Sequence, residues 1–240
     1  MNEEQIDKNE KERKKDMLAK SPAIVNSVRK PLLEQIAKAV EEGRTADVVT
    51  FLGRGLDAGY SAEELLYSGL IKGMTDIGVK FKNHEVFVPE VLIAARTLKK
   101  GQETLRSALI DEGVEPIGKA VIATVSGDLH DIGKNLVTMM LEGVGFKVID
   151  LGVDVTAESI CEAVKTHKPD ILALSVLLNT TLNQLISVIS YLNENGVRDQ
   201  VLILVGGAPV DEEFAKKIGA DGYAADAVAA AETAKKMIGK

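Results

Sequence analysis

Four short apolar runs in the second half of this 240-residue chain, AVIATV, FKVIDLG, DILALSV and VLILVGG, limit its fold more than any other feature. They are rich in β-branched and aliphatic residues. Between them lie stretches with apolar residues three and four apart, starting near Gly133, Thr156, Thr181 and Asp211, which is the helical period. A strand that is apolar along its whole length needs cover on both faces. Regular alternation of strand and helix requires parallel strands joined by right-handed crossovers. A fifth short strand is expected around Gly222–Ala224, before a final Ala-rich helix. Residues 119–240 are therefore expected to form a five-stranded parallel sheet with helices on both faces, an α/β architecture of the flavodoxin-like doubly wound kind. Ligands of such sheets sit beyond the carboxyl ends of the strands, so the residues that follow the apolar runs are the ones to examine for function.

The first half has a different texture. From 22 to 110, LLEQIAKAV, VVTFLGRGL, ELLYSGLIKGMTDIG and EVLIAARTLKKGQETL all carry the helical period. Ser61 with Glu64 fits a capping box, and Pro89 suits the first turn of the last helix. Four helices with short connections predict a small bundle. Residues 111–118 break the period and read as a linker, whose Gly113 and Gly118 suit a hinge. Residues 1–21 alternate acidic and basic side chains and read as a charged tail.

Composition removes several function classes. The net charge of −7 argues against nucleic-acid binding, which draws its affinity from Lys and Arg on phosphates. No apolar run approaches the ~18 residues of a membrane span, and the N-terminus lacks the apolar stretch of a signal peptide, so a cytoplasmic protein is expected. The single cysteine, Cys161, allows no internal disulfide and reads as a buried thiol.

The segment after the first strand, Ser126-Gly127-Asp128-Leu129-His130-Asp131-Ile132-Gly133-Lys134-Asn135, carries the most chemistry. It is not a phosphate loop, which needs four residues before its Gly-Lys pair and Ser or Thr after it; here five separate Gly127 from Gly133 and Asn135 follows Lys134. Asp128-x-His130 reads instead as a metal ligand with its supporting carboxylate, which fixes the imidazole tautomer and raises its basicity. The other two histidines, His84 and His167, lie far off in sequence. His84 reads as a solvated loop residue, and His167 as a charge at a helix C-terminus. A lone imidazole makes sense as a ligand if a macrocycle supplies the other donors. After the third strand come Ser175-Val176-Leu177-Leu178-Asn179-Thr180-Thr181, and after the fourth Gly206-Gly207, where missing side chains admit a close approach.

Asp-x-His-x-x-Gly, then 41 residues to Ser175-x-Leu177, then 28 to Gly206-Gly207, resembles the cobalamin-binding domains of methionine synthase and of corrinoid proteins. GMTDIGVKFKNHEVFVPEVLIAARTLKKG is similar to their helical cap. The resemblance covers nearly all of the chain after residue 22 and implies the stand-alone corrinoid proteins of methylotrophic and O-demethylating systems. It implies a cobalamin or related corrinoid with His130 as the axial cobalt ligand and Asp128 on its other ring nitrogen. The motif's hydroxyl falls at Thr181, with Thr180 as a substitute. Asp131 and Ile132 would border the cofactor. Gly133, Ser175, Leu177, Gly206 and Gly207 would line the slot for its nucleotide tail. Phe81 and Val88 would cover its upper face. The implied function is a methyl carrier, cobalt cycling between cobalt(I) and methyl-cobalt(III), and not an autonomous enzyme. Its partners would be a substrate:corrinoid methyltransferase, a second methyltransferase with tetrahydrofolate or a thiol as acceptor, and a reductive activase. The alternatives are a cobalamin-dependent sensor and the small subunit of an adenosylcobalamin mutase. The donor of the methyl group, the acceptor and the oligomeric state belong to partners and surfaces that the motifs do not encode.

Overall fold

The helical half is built from α1 (Pro22–Glu41), α2 (Thr45–Asp57), a composite α3 and α4 (Val88–Asp111). In this computed structural model the described residues are 22–240, with side chains from residue 30 on; the tail 1–21 lies outside them. α3 starts as an α-helix over Ala62–Glu64, widens to a π-helix over Leu65–Ile71 and returns to α over Lys72–Lys82. Its start is capped twice: the Ser61 hydroxyl accepts from the Glu64 N–H at 3.0 Å, and Glu112, just past α4, accepts from the Ala62 N–H at 2.8 Å. At the start of α4, Pro89 occupies the first turn and Glu90 accepts from the Phe87 N–H at 3.1 Å. The bundle core is aliphatic, with Ile36, Leu52, Leu65, Leu70, Met74 and Leu98 buried. α1 and α3 approach so closely at Gly73 that a Cβ there would sit 2.4 Å from the Ala37 carbonyl oxygen.

The second half comprises β1 (Gly118–Thr124), α5 (Ile132–Gly143), β2 (Phe146–Asp150), α6 (Ala157–His167), β3 (Ile171–Ser175), α7 (Asn183–Glu194), β4 (Leu202–Gly206), α8 (Glu212–Ile218), β5 (Gly222–Ala224) and α9 (Ala227–Met237). The sheet order is β2-β1-β3-β4-β5, all parallel. This is the flavodoxin-like order, whose direction of winding switches between β1 and β3. Alternate residues feed opposite layers. Val121, Leu172 and Ile203 pack with α6 and α7, whereas Ala120, Ile171 and Leu204 pack with α5 and α9. β2 is less apolar than a fully covered strand, and its Lys147 is exposed. The reason is its place at the sheet edge, where a charged side chain also discourages pairing with another chain.

The bundle docks on the face made by α5 and α9: Met140, Ala227, Val228 and Ala231 join Met74 and Ile77 in one cluster. A Cβ on Gly143 would lie 2.4 Å from the Met74 Cγ, so the two halves meet in close contact. Segment 112–117 joins them. Its two expected hinge glycines are otherwise engaged. Gly113, at φ +67°, ends α4 in the left-handed conformation, with the Val114 N–H on the Leu109 carbonyl at 2.9 Å. Gly118 is the first residue of β1, paired with Phe146. Since the Ile117 N–H donates to Gly145 O at 3.1 Å, Glu115 and Pro116 are left between the two tethers. Among the described residues no helix is long and apolar enough to cross a membrane.

Candidate functional site

The carboxyl ends of β1 and β3 flank the switch point, and their loops meet on one carboxylate. Asp128 is fully buried, although an aspartate is a costly group to bury. Every side of it is satisfied. Its Oδ1 accepts from the His130 Nδ1 at 2.7 Å and from the His130 N–H at 3.1 Å. Its Oδ2 accepts from the Leu177 N–H at 2.7 Å, the Leu178 N–H at 3.2 Å and the Thr181 hydroxyl at 3.1 Å. Burial by itself would push this carboxyl up; the hydrogen bonds, led by Leu177 and His130, outweigh it and hold the group well below the usual carboxylate range. Asp128 is thus ionised and can only accept, so Nδ1 of His130 carries a proton, which makes Nε2 the nitrogen able to act as a ligand. The His130 side chain is 51% exposed, with that nitrogen uncommitted.

The loop that presents His130 is held by three further hydrogen bonds. Thr124, buried at the end of β1, donates to the His130 carbonyl at 2.9 Å. Asp154, from the loop after β2, accepts from the Gly127 N–H at 2.6 Å, and its own N–H donates to the Asp128 carbonyl at 3.0 Å. Asp154 stands at φ +53° and Gly127 at φ +80°. Left-handed backbone is uncommon for a residue with a Cβ and marks an imposed geometry. Around the imidazole, Leu129 and Ile132 are each 71% exposed, and Leu177 and Leu178 are also exposed. Large apolar side chains clustered in water beside a metal-competent nitrogen mark a surface made to be covered.

Beneath the loop, a slot of about 260 Å³ runs between α5 and the ends of β3 and β4. Gly133, Ser175, Gly206 and Gly207 line it. Leu177 does not: it contributes its N–H to Asp128 and leaves its side chain exposed. Gly207, at φ +126°, passes so near β3 that a Cβ would overlap the Val176 carbonyl oxygen. A Cβ on Gly133, by contrast, would meet no protein atom within 4 Å. Protein packing demands a glycine at 207 and does not demand one at 133.

The hydroxyl partner of Asp128 is Thr181, which is buried, and not Thr180, which is exposed. The 3₁₀ turn Asn179–Thr181 sets this, because it directs successive side chains about a third of a turn apart. Asp131 stands just before α5 and accepts from Asn135 Nδ2 at 3.1 Å. Phe81, at the end of α3, lines the same slot as Gly133 and Gly206, while Val88 is half-buried at the start of α4. His84 is exposed at φ +60°, and His167 ends α6. Cys161 is a buried thiol.

Several residues of the site escaped sequence reading. Thr124 and Asp154 are fasteners of the loop; the hydroxyl in an otherwise apolar strand and the acid after a strand end were their only signals. Lys134 is 2% exposed, lines the slot and is paired with Asp150 and Asn135; a lysine gives no sequence sign of such burial. Phe87, 68% exposed just before α4, is a large apolar side chain on the helical half's surface. Among the described residues, no three His, Cys, Asp or Glu side chains gather into a metal site.

Known proteins share both halves. A B12 binding domain model matches residues 118–232, and a second model of that description matches residues 32–106. A corrinoid protein of Desulfitobacterium hafniense is 37% identical over 212 residues, covering 87% of this chain and 98% of that one. A trimethylamine corrinoid protein of Methanosarcina mazei is 42% identical over 187 residues, covering 76% and 86%. Among solved structures, the methanol:cobalamin methyltransferase complex MtaBC of Methanosarcina barkeri matches with a TM-score of 0.77 at 33% identity, covering 88% of this chain and 81% of that one.

Proposed function

The chain belongs to the B12-binding corrinoid proteins, and on that premise we propose that it holds a cobalamin-type cofactor on His130 as the methyl carrier of a methyltransferase system. The observation that carries this is the buried, ionised Asp128 fixing Nδ1 of His130 at 2.7 Å, with Nε2 left bare on an apolar surface. One imidazole is too few donors for a protein-built metal centre, and it suits a metal whose macrocycle supplies the equatorial nitrogens.

The residues present fit such a cofactor. Leu129, Ile132, Leu177 and Leu178 offer exposed apolar contact for a large ring. The slot behind Gly133 offers room for a tail, and the absence of a Cβ at 133, which no protein atom requires, is accounted for by a ligand that passes there. The cofactor would supply a cobalt able to accept a methyl group and give it up. His130 would hold that metal through Nε2; Asp128 keeps the ring in one tautomer and would add to its electron donation. Thr181, Leu177 and Leu178 hold Asp128 charged. Phe87 and Val88, where α4 begins, would exclude water from the metal, whereas Phe81, expected to share that role, lines the slot beside Gly133 and Gly206 instead.

Transfer demands that another protein reach the metal, so the helical half must move. Glu115-Pro116 is the segment between its tethers at which it can swing. The carrier would work with a substrate:corrinoid methyltransferase that loads the methyl group, a second methyltransferase that passes it to tetrahydrofolate or a thiol, and a reductive activase that restores the working oxidation state.

The test is the visible spectrum of the protein loaded with methylcobalamin, beside the His130→Ala variant. A spectrum with the cofactor's own base displaced and histidine bound in the native protein, changing to one without a lower ligand in the variant, is expected. Identical spectra would remove His130 from the axial position.

A further inference from the structure

The slot differs from the rim of the site in its chemistry. Its walls are apolar: Phe81 comes from α3, Ile122 and Leu204 from the sheet, Leu136 and Val137 from α5, and Ala230 from α9. Three polar side chains also line it. Lys134 is already bound to Asp150 and Asn135. Asp226 is exposed at the mouth, where its Oδ1 accepts from the Ala229 N–H at 2.8 Å and caps α9. Ser175, half-buried, is the one polar lining side chain with no partner. That one free hydroxyl can satisfy one ring nitrogen.

We propose that this slot selects among cobamides by the polarity of the lower base, favouring an apolar benzimidazole over a purine. The proposal rests on the tail of the cofactor lying in the slot. A dimethylbenzimidazole displaced from cobalt presents one ring nitrogen and otherwise only carbon, which matches apolar walls and a single free hydroxyl. Adenine brings an exocyclic amine with two donors and further ring nitrogens. Each such group would leave water for a wall of carbon, and an unsatisfied buried polar group costs about 1–3 kcal/mol, or about five- to one-hundred-and-fifty-fold in affinity. A larger preference is not expected, because an apolar pocket rejects an added polar group by only about one-hundred-fold.

The experiment is a binding titration of the purified full chain with three ligands: the dimethylbenzimidazolyl cobamide, the adeninyl cobamide and cobinamide, which lacks the nucleotide tail. The readout is the dissociation constant from the visible spectrum. The benzimidazole is the more basic donor and gives up more on leaving cobalt, so intrinsic bias runs against the expected order. The expected result is at least about ten-fold tighter binding of the benzimidazolyl form than of the adeninyl form. In Val137→Thr, which puts a hydroxyl on the wall at nearly constant volume, that ratio should fall several-fold. The ratio of ratios cancels each ligand's own cobalt–base bond, and circular dichroism checks that the variant folds. Equal or reversed affinities in the native protein, cobinamide binding as tightly as the benzimidazolyl form, or an unchanged ratio in a folded Val137→Thr each overturns the selectivity. Failure of all three ligands to bind instead overturns the cofactor reading beneath it.

Discussion

The two halves of the molecule hold their functional residues by different physics. In the α/β half, one carboxylate with no solvent exposure gathers hydrogen bonds from His130, Leu177, Leu178 and Thr181. In the helical half, Phe87 and Val88 are placed by where α4 begins, and their side chains are hydrocarbon with no hydrogen bond to make. Hydrogen bonds are directional, and leaving one unmade in the interior is costly. Apolar contact is non-directional and scales with area. The first arrangement suits a ligand nitrogen that must stay on one axis; the second suits a cover that must come and go.

This contrast can be broken by substitution. The largest effect is expected from Asp128→Asn, which turns an amide toward groups that all donate. It should cost about 2–4 kcal/mol of unfolding free energy in urea, since a buried network is lost with its partners left in place. A cost below about 1 kcal/mol would show that the carboxylate does not organise the loops. The same residue sets the acid response. Its folded pKa is depressed, so the stability it contributes is present above the unfolded value of about 4 and is lost as pH falls through that value toward the lower folded one. Native protein should therefore lose stability more steeply below about pH 4 than Asp128→Asn, which lacks that group.

Next in size is a test of the helical half at its tightest point. Gly73→Ala would force a Cβ against the Ala37 carbonyl. Despite up to about 1 kcal/mol of gain in helix propensity, we expect a net loss of about 1–2 kcal/mol from overpacking. A gain would mean that α1 and α3 can separate freely. Thr181→Val, read against Thr180→Val, should cost about 1 kcal/mol where the exposed neighbour costs nearly nothing. Equal effects would undo the assignment of the hydroxyl to Thr181. The smallest effect on stability is expected for Phe87→Ser, within about 0.5 kcal/mol, because its side chain is mostly in solvent. Under the carrier reading, the same substitution should speed the loss of methyl from the loaded protein in water.

Much of the fold was legible because its signals are local. The apolar runs AVIATV, DILALSV and VLILVGG correspond to β1, β3 and β4, and the helical periods of the first half to α1–α4. FKVIDLG became an edge strand because which strand lies at the edge depends on crossovers and not on its own residues. The π-helical stretch of α3 was not legible; its residues are ordinary helix formers. Nor could composition reveal that Gly113 closes a helix and Gly118 begins a strand, where a hinge was expected.

What the sequence by itself determined is the order of elements and the spacing Asp128-x-His130-x-x-Gly133, Ser175-x-Leu177, Gly206-Gly207, since period and spacing are properties of the chain. Tertiary structure alone decided that Thr181 and not Thr180 reaches Asp128, that Leu177 supplies an N–H and not a slot wall, and that Asp154 fastens the loop. Each of these is a contact between residues distant along the chain. Such contacts depend on how loops turn and layers stack after the strands have paired.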